Sequence, residues 1–154
     1  MKHLIMILMS FVGTAAFAII FKTKKQHILI ASIGGTLTCA IYALFDALGA
    51  PLFLSNFPAS LFAVIFSGVM AKVLKTPSTS LVSLCIIPLV PGSSLFYTMS
   101  NFIVWNQPQF TFHAQNTLQI ALGIAGGIVL ESAVVHLLGH IKKKKASPPS
   151  NAEV

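Results

Sequence analysis

A chain of 154 residues that is 55% hydrophobic and only 8% charged, with a mean hydropathy of +0.85, is not a soluble domain, whose charged share would be about a quarter. The net charge of +7 comes from lysines alone, and they sit at the ends of apolar runs, so nucleic acid is excluded as the partner and the lipid bilayer is indicated. Cys39 and Cys85 fall inside apolar segments and read as small core residues, so neither a disulfide nor a metal site is expected.

The first apolar segment covers residues 4–21. Lys2 ahead of it imitates a secretory leader, but no small-residue cleavage site precedes a soluble part, and the segment reads as a retained span. Its polar content is weak, at Ser10, Gly13 and Thr14. The second span, residues 28–48, carries Gly34-Gly35 as a close-contact surface. Thr38, Tyr42 and Asp46 then follow at four-residue spacing, a polar stripe along one helix face. Asp46 reads either as a helix-end residue or as the group that meets a charged solute. His27, just ahead of this span, reads as an ordinary surface residue.

The third span, residues 52–71, contains Pro58; its uninterrupted part, residues 59–71, is short enough for a re-entrant piece. The fourth covers residues 80–102 and the fifth residues 116–141. Each approaches the ~20 residues needed to cross ~30 Å of hydrocarbon. In the fifth, Gly123, Gly127 and Glu131 share one face, so a neighbouring backbone can come close and Glu131 is held among protein atoms. It lies about 15 Å from the end of the span, at 1.5 Å per residue. A carboxylate at that depth is a functional candidate, for proton coupling; a structural hydrogen bond to a partner helix is the equal alternative. The tail, residues 142–154, begins with four lysines and is expected to be a disordered, basic, cytoplasmic end.

The lysines test the span count. Lys22, Lys24 and Lys25 follow the first span, Lys72 and Lys75 the third, and Lys142 to Lys145 the fifth. With five spans every lysine except Lys2 lies on one side, which the positive-inside rule makes cytoplasmic. The expectation is an all-α membrane protein of five transmembrane helices, forming a single domain over residues 1–141, in the inner (plasma) membrane with its N-terminus outside. Phe102, Trp105, Phe110 and Phe112 read as an interfacial belt or as packed loop aromatics.

The fourth span is broken. Pro88 and Pro91 each lack an N–H, so the carbonyls of Leu84 and Ile87 lose their helical donors. Gly92 relaxes the backbone, and Ser93 or Ser94 is expected to cap a second half-helix. In lipid, such a break survives only inside protein or beside water. A half-helix start offers free N–H groups to an anion, and secondary transporters build substrate sites this way. Pro88, Pro91, Gly92, Ser93, Ser94 and Tyr97 are therefore the candidate substrate-binding residues. A kink filled by a neighbouring helix is the competing reading.

The segment from Val82 to Tyr97 resembles the signature of the threonine/serine exporter family. The prolines-and-glycine element is Ile87-Pro88-Leu89-Val90-Pro91-Gly92, with Tyr97 following. The likeness is to that family's small subunit, equivalent to its C-terminal membrane domain, and covers roughly residues 4–141. The resemblance implies a complementary larger subunit carrying the N-terminal domain, and export of threonine and serine or of succinate in split forms; no cofactor is expected, since neither a nucleotide-binding glycine loop nor a metal-spaced set is present. Self-association is also open. No enzyme signature is present. The reading is a subunit of a two-component exporter of small carboxylate-bearing metabolites; the alternative is a non-transporting scaffold subunit.

Overall fold

The computed structural model describes residues 2–146, and every regular element among them is helical. The elements are α1 (Lys2–Ile20), α2 (Lys25–Ala47), α3 (Leu52–Leu74), α4 (Ser78–Ile86), a 3-10 turn (Ile87–Leu89), α5 (Gly92–Ile103) and α6 (Gln107–Ala146). Four of these, α1, α2, α3 and α6, are individually long and apolar enough to cross a membrane. The fifth crossing is discontinuous. Ser78–Leu89 and Gly92–Ile103 meet at a bend of 59°.

Four left-handed residues follow the ends of α1, α2, α3 and α5. Lys22, Gly49, Lys75 and Trp105 have φ of 51°, 75°, 51° and 54°. In each case the next N–H reaches back past the helix end, as in Thr23 to the Ala18 carbonyl and Asn106 to that of Asn101. These turns are short, so consecutive helices fold back on one another. α1 packs on α2, α2 on α3, α3 on α4, and α5 on α6. The most extensive contact, α3 on α6, joins two helices running the same way: Gly123 meets Phe53 and Asn56, while Gly127 meets Phe57 and Ser60. Parallel α3 and α6 require the α4–α5 unit between them to cross, and the lysine-bearing turns after α1 and α3 meet at one end of the fold.

Packing runs on small residues. Ala18, Ala31 and Ala71 pack with Leu81 and Leu84 in the core, whereas Leu4, Leu8, Ile19 and Val69 are exposed. That inversion of a soluble protein suits a lipid exterior. Several buried hydroxyls are satisfied within their own helices: Thr14 donates to the Ser10 carbonyl at 2.8 Å and Thr38 to that of Gly34 at 2.9 Å. Cys39 and Cys85 are both buried and free.

Three expectations change. Pro58 does not interrupt the third span, because α3 runs unbroken from Leu52 to Leu74 and a re-entrant piece is ruled out. Asn56 Nδ2 donates to the Leu52 carbonyl at 2.7 Å and helps hold that first turn. The last helix starts at Gln107, well ahead of residue 116; Pro108 sits in its first turn, where no N–H is needed. It also continues through the lysines to Ala146, while the rest of the tail, residues 147–154, lies outside the described residues. Finally, neither serine caps α5. Its N-cap is Pro91, and Ser93 and Ser94 lie within the first turn.

Candidate functional site: the broken crossing and its cavity

Pro88 lies inside the 3-10 turn that follows α4, whose tighter winding needs no N–H at that position. Val90 N–H then donates to the Ile87 carbonyl at 3.2 Å, and Gly92 N–H to the Val90 carbonyl at 2.8 Å. The first regular bond of α5 runs from Leu95 N–H to the Pro91 carbonyl at 2.9 Å. The N–H groups of Ser93 and Ser94, lying between these, have no backbone partner. The break thus answers the Ile87 carbonyl locally and leaves two donors at a helix start.

A cavity of about 300 Å³ opens at this break. Pro88, Pro91, Ser93 and Ser94 form one wall. Tyr42 of α2, Asn56 of α3 and Asn116 of α6 reach it from three other helices. Two amides, a phenol and two serines are an uncommon concentration of polar groups for a segment so apolar, and they offer both donors and acceptors. Met6, Leu52 and Ile120 supply the apolar part of the wall. Such a mixture can hold a small solute by its polar ends.

The remaining candidate residues are placed elsewhere. Gly92 and Tyr97 are exposed and outside the cavity wall; Tyr97 stacks on His113 of α6 at 5.2 Å between ring centres. Asp46 is exposed on α2, one turn beyond Tyr42. Glu131 is half-buried beside Gly68 of α3, with Oε1 3.8 Å from where a Cβ on that glycine would stand. It lies about 16 Å farther along α6 than Ile120, at 1.5 Å per residue, so the carboxylate and the elbow cavity are separate features.

The glycines lie at close helix crossings. A Cβ on Gly34 would come within 2.5 Å of Phe66 and 2.6 Å of Cys85, and one on Gly35 within 2.5 Å of Thr14. On α6, a Cβ on Gly123 would meet the Phe53 carbonyl at 2.9 Å, and one on Gly127 the Leu61 nitrogen at 2.9 Å. Ser60 fastens this second crossing by donating to the Gly123 carbonyl at 3.3 Å.

Sequence reasoning missed Asn56 and Asn116. Asn56 is a lone amide within an apolar stretch, and that isolation is itself the available signal, because an amide in hydrocarbon needs a partner or water; Asn116, flanked by Gln115 and Thr117, stands out in no such way.

No group of three or more metal-ligating side chains occurs among the described residues. Comparison with curated proteins and with solved structures finds no match. The family model described as "Threonine/Serine exporter, ThrE" matches residues 6–134, which takes in α1 to α5 and the glycine-bearing part of α6. The chain therefore belongs to the threonine/serine exporter family, a family of membrane transporters.

Proposed function

We propose that the chain is one subunit of a two-component secondary exporter, and that its solute is a small carboxylate-bearing metabolite: threonine, serine or a succinate-like dicarboxylate. The observation that carries this reading is the polar cavity at the broken crossing, where Ser93 and Ser94 bring unpaired N–H groups beside Tyr42, Asn56 and Asn116. A carboxylate placed there would accept from the start of α5, where the helix dipole is positive.

For an amino-acid solute the ammonium needs an acceptor. Asp46, one turn beyond Tyr42, is the acid on the helix that lines this cavity, whereas Glu131 is too far along α6 to touch the same molecule. Glu131 suits the other task, coupling a proton to movement of α6 against α3. The lysine-bearing end is cytoplasmic in this reading, with the N-terminus outside, the chain forming a single membrane domain and residues 142–154 lying inside.

A larger complementary subunit completes the transporter. α5 has no buried residue, and Phe96, Met99 and Ile103 are 67%, 62% and 76% exposed on it. A helix at the rim of a substrate cavity with an unoccupied apolar side suits an intersubunit position.

The experiment is flux of radiolabelled threonine, serine and succinate in proteoliposomes, with and without the complementary subunit. Pro88→Ala combined with Pro91→Ala restores regular helix through the break. Flux is expected to fall at least tenfold with the protein still folded. Undiminished flux in that variant would falsify the elbow as the substrate site.

A further inference from the structure

A second cavity, of about 450 Å³, lies at the lysine-bearing end. Its walls are the α1–α2 turn, the α3–α4 turn and the first two turns of α4. The two turns are built alike. Lys22 and Lys75 both adopt φ of 51°, and the threonine after each, Thr23 and Thr76, donates its N–H at 3.1 Å to an alanine carbonyl, Ala18 and Ala71 respectively. Those two alanines pack in the same core cluster, which sets the turns side by side. Each turn leads directly into a helix, α2 after Lys24 and α4 after Pro77, and neither helix start has a side-chain cap. Both starts lie in the cavity wall.

The lining is cationic and rich in hydroxyls. Lys22 and Lys24 bring ammonium groups, Thr79 and Ser83 bring hydroxyls, and no carboxylate lines the cavity. Two further lining groups lack answers within the fold. His27 is only 6% exposed, contrary to the surface position its sequence suggests, and it takes part in none of the side-chain hydrogen bonds of the described residues. An imidazole carries at least one N–H donor in either protonation state. Thr76 Oγ1 is buried without a partner, as is Ser67 Oγ outside this cavity. Buried polar groups in native proteins are nearly always paired, so the Thr76 hydroxyl and the unbonded His27 imidazole in one cationic wall point to a ligand that accepts from them.

We propose that this cavity is an oxyanion site, binding the carboxylate of a small solute or the phosphate of an anionic lipid headgroup through His27, Thr76 and the uncapped starts of α2 and α4, with Lys22 and Lys24 supplying charge. The site goes beyond the transport reading, because it requires binding at equilibrium and no flux. It also supplies what a dicarboxylate solute lacks at the elbow: positive charge contributed by this chain.

Binding is measured on the intact protein in nonionic detergent, by calorimetry, with succinate, inorganic phosphate and a soluble short-chain phosphatidylglycerol as separate probes. Saturable binding of at least one probe is expected, weakened tenfold or more by Lys24→Gln and by His27→Gln, and unchanged by Lys72→Gln, a lysine outside the cavity wall. Lys24 is exposed, so its variant carries the test should the buried His27 variant fail to fold. Tighter binding of succinate identifies a solute site; tighter binding of phosphatidylglycerol than of phosphate or succinate identifies a lipid site. The Pro88→Ala, Pro91→Ala protein should retain this binding, which separates it from the elbow. Absence of saturable binding of all three probes, or equal affinity in wild type and Lys24→Gln, overturns the proposal.

Discussion

Leu84 and Pro88 stand one turn apart on the broken crossing, yet each lines a different cavity: Leu84 the one at the lysine-bearing end, Pro88 the one at the break. About 6 Å of helix rise separates them. Leu84, Cys85 and Leu89 are 1%, 0% and 6% exposed, so the partition is a thin apolar plug. Shortening Leu84 to alanine should open it. The expected outcome is a passive leak of succinate or serine in proteoliposomes several-fold above wild type, while Leu84→Met, of similar volume, stays tight. A leak-free Leu84→Ala protein would show that the two cavities do not share a route.

The α3–α6 crossing makes a prediction about stability. Gly127→Val places atoms where Ser60 and the Leu61 nitrogen already stand, and overpacking of this kind costs roughly 1–3 kcal/mol. Gly13, inside α1, has nothing within 4 Å of a Cβ. Gly13→Ala should therefore gain about 0.5–1 kcal/mol from helix propensity alone. Thermal unfolding of the two variants in the same detergent should move in opposite directions.

Ser60 tests the same crossing more gently. Its single O–H is shared between the Gly123 carbonyl at 3.3 Å and the Phe57 carbonyl of its own helix at 2.9 Å. Interhelical bonds of this type contribute about 0.6 kcal/mol on average. Ser60→Ala should lower the unfolding temperature only slightly, far less than Gly127→Val. An equal loss would mean that the hydroxyl rather than the close backbone approach holds the helices.

Glu131→Gln keeps the size and hydrogen-bonding reach of the side chain beside Gly68 and removes its ability to lose a proton. Under the coupling proposal, flux in this variant no longer responds to an imposed pH gradient, while equilibrium solute binding is unchanged because the elbow cavity is distant. Wild-type response to the gradient in Glu131→Gln would leave the residue a packing role only.

Orientation is open to direct labelling. Both native cysteines are buried, so a single introduced cysteine reports alone. Lys24→Cys at the lysine-bearing end should react with a membrane-impermeant maleimide only from the cytoplasmic side, and the exposed Gln109→Cys only from the other. The reverse pattern would invert the proposed topology.

Much of this was readable before any coordinates. Pro88, Pro91 and Gly92 announce a broken crossing because a missing N–H is a covalent fact that no tertiary contact repairs. The lysines announce the number of crossings because each cluster must reach water on the same side. Pro58 misleads for the complementary reason. As the seventh residue of α3 it deprives the Leu54 carbonyl of one donor, yet a single missing bond leaves the helix unbroken, and Asn56 and Ser55 add side-chain bonds in the turn before it, so the same residue type that breaks the fourth crossing is absorbed in α3.

The start of α6 was hidden because Gln107, Gln109, Thr111 and Gln115 mask the apolar periodicity, and only the left-handed Trp105 and the Asn106 bond behind it fix the boundary. His27 was hidden differently. It reads as a surface residue beside lysines, and only the meeting of two distant turns buries it. Tertiary juxtaposition of Lys24 with Thr76 has no local signature.

One consequence follows from the 40 residues of α6. At 1.5 Å per residue it is a rod of about 60 Å, roughly twice the thickness of the hydrocarbon it crosses. It bears on α3 through the glycines near its middle, at Gly123 and Gly127, and carries α5 on the arm ahead of them. Because that contact continues to Glu131 beside Gly68, α6 is clamped along its middle and overhangs at both ends. A tilt of α6 about the clamp would carry the α5 arm and the lysine-bearing arm in opposite directions, which is the movement that proton coupling at Glu131 would have to drive.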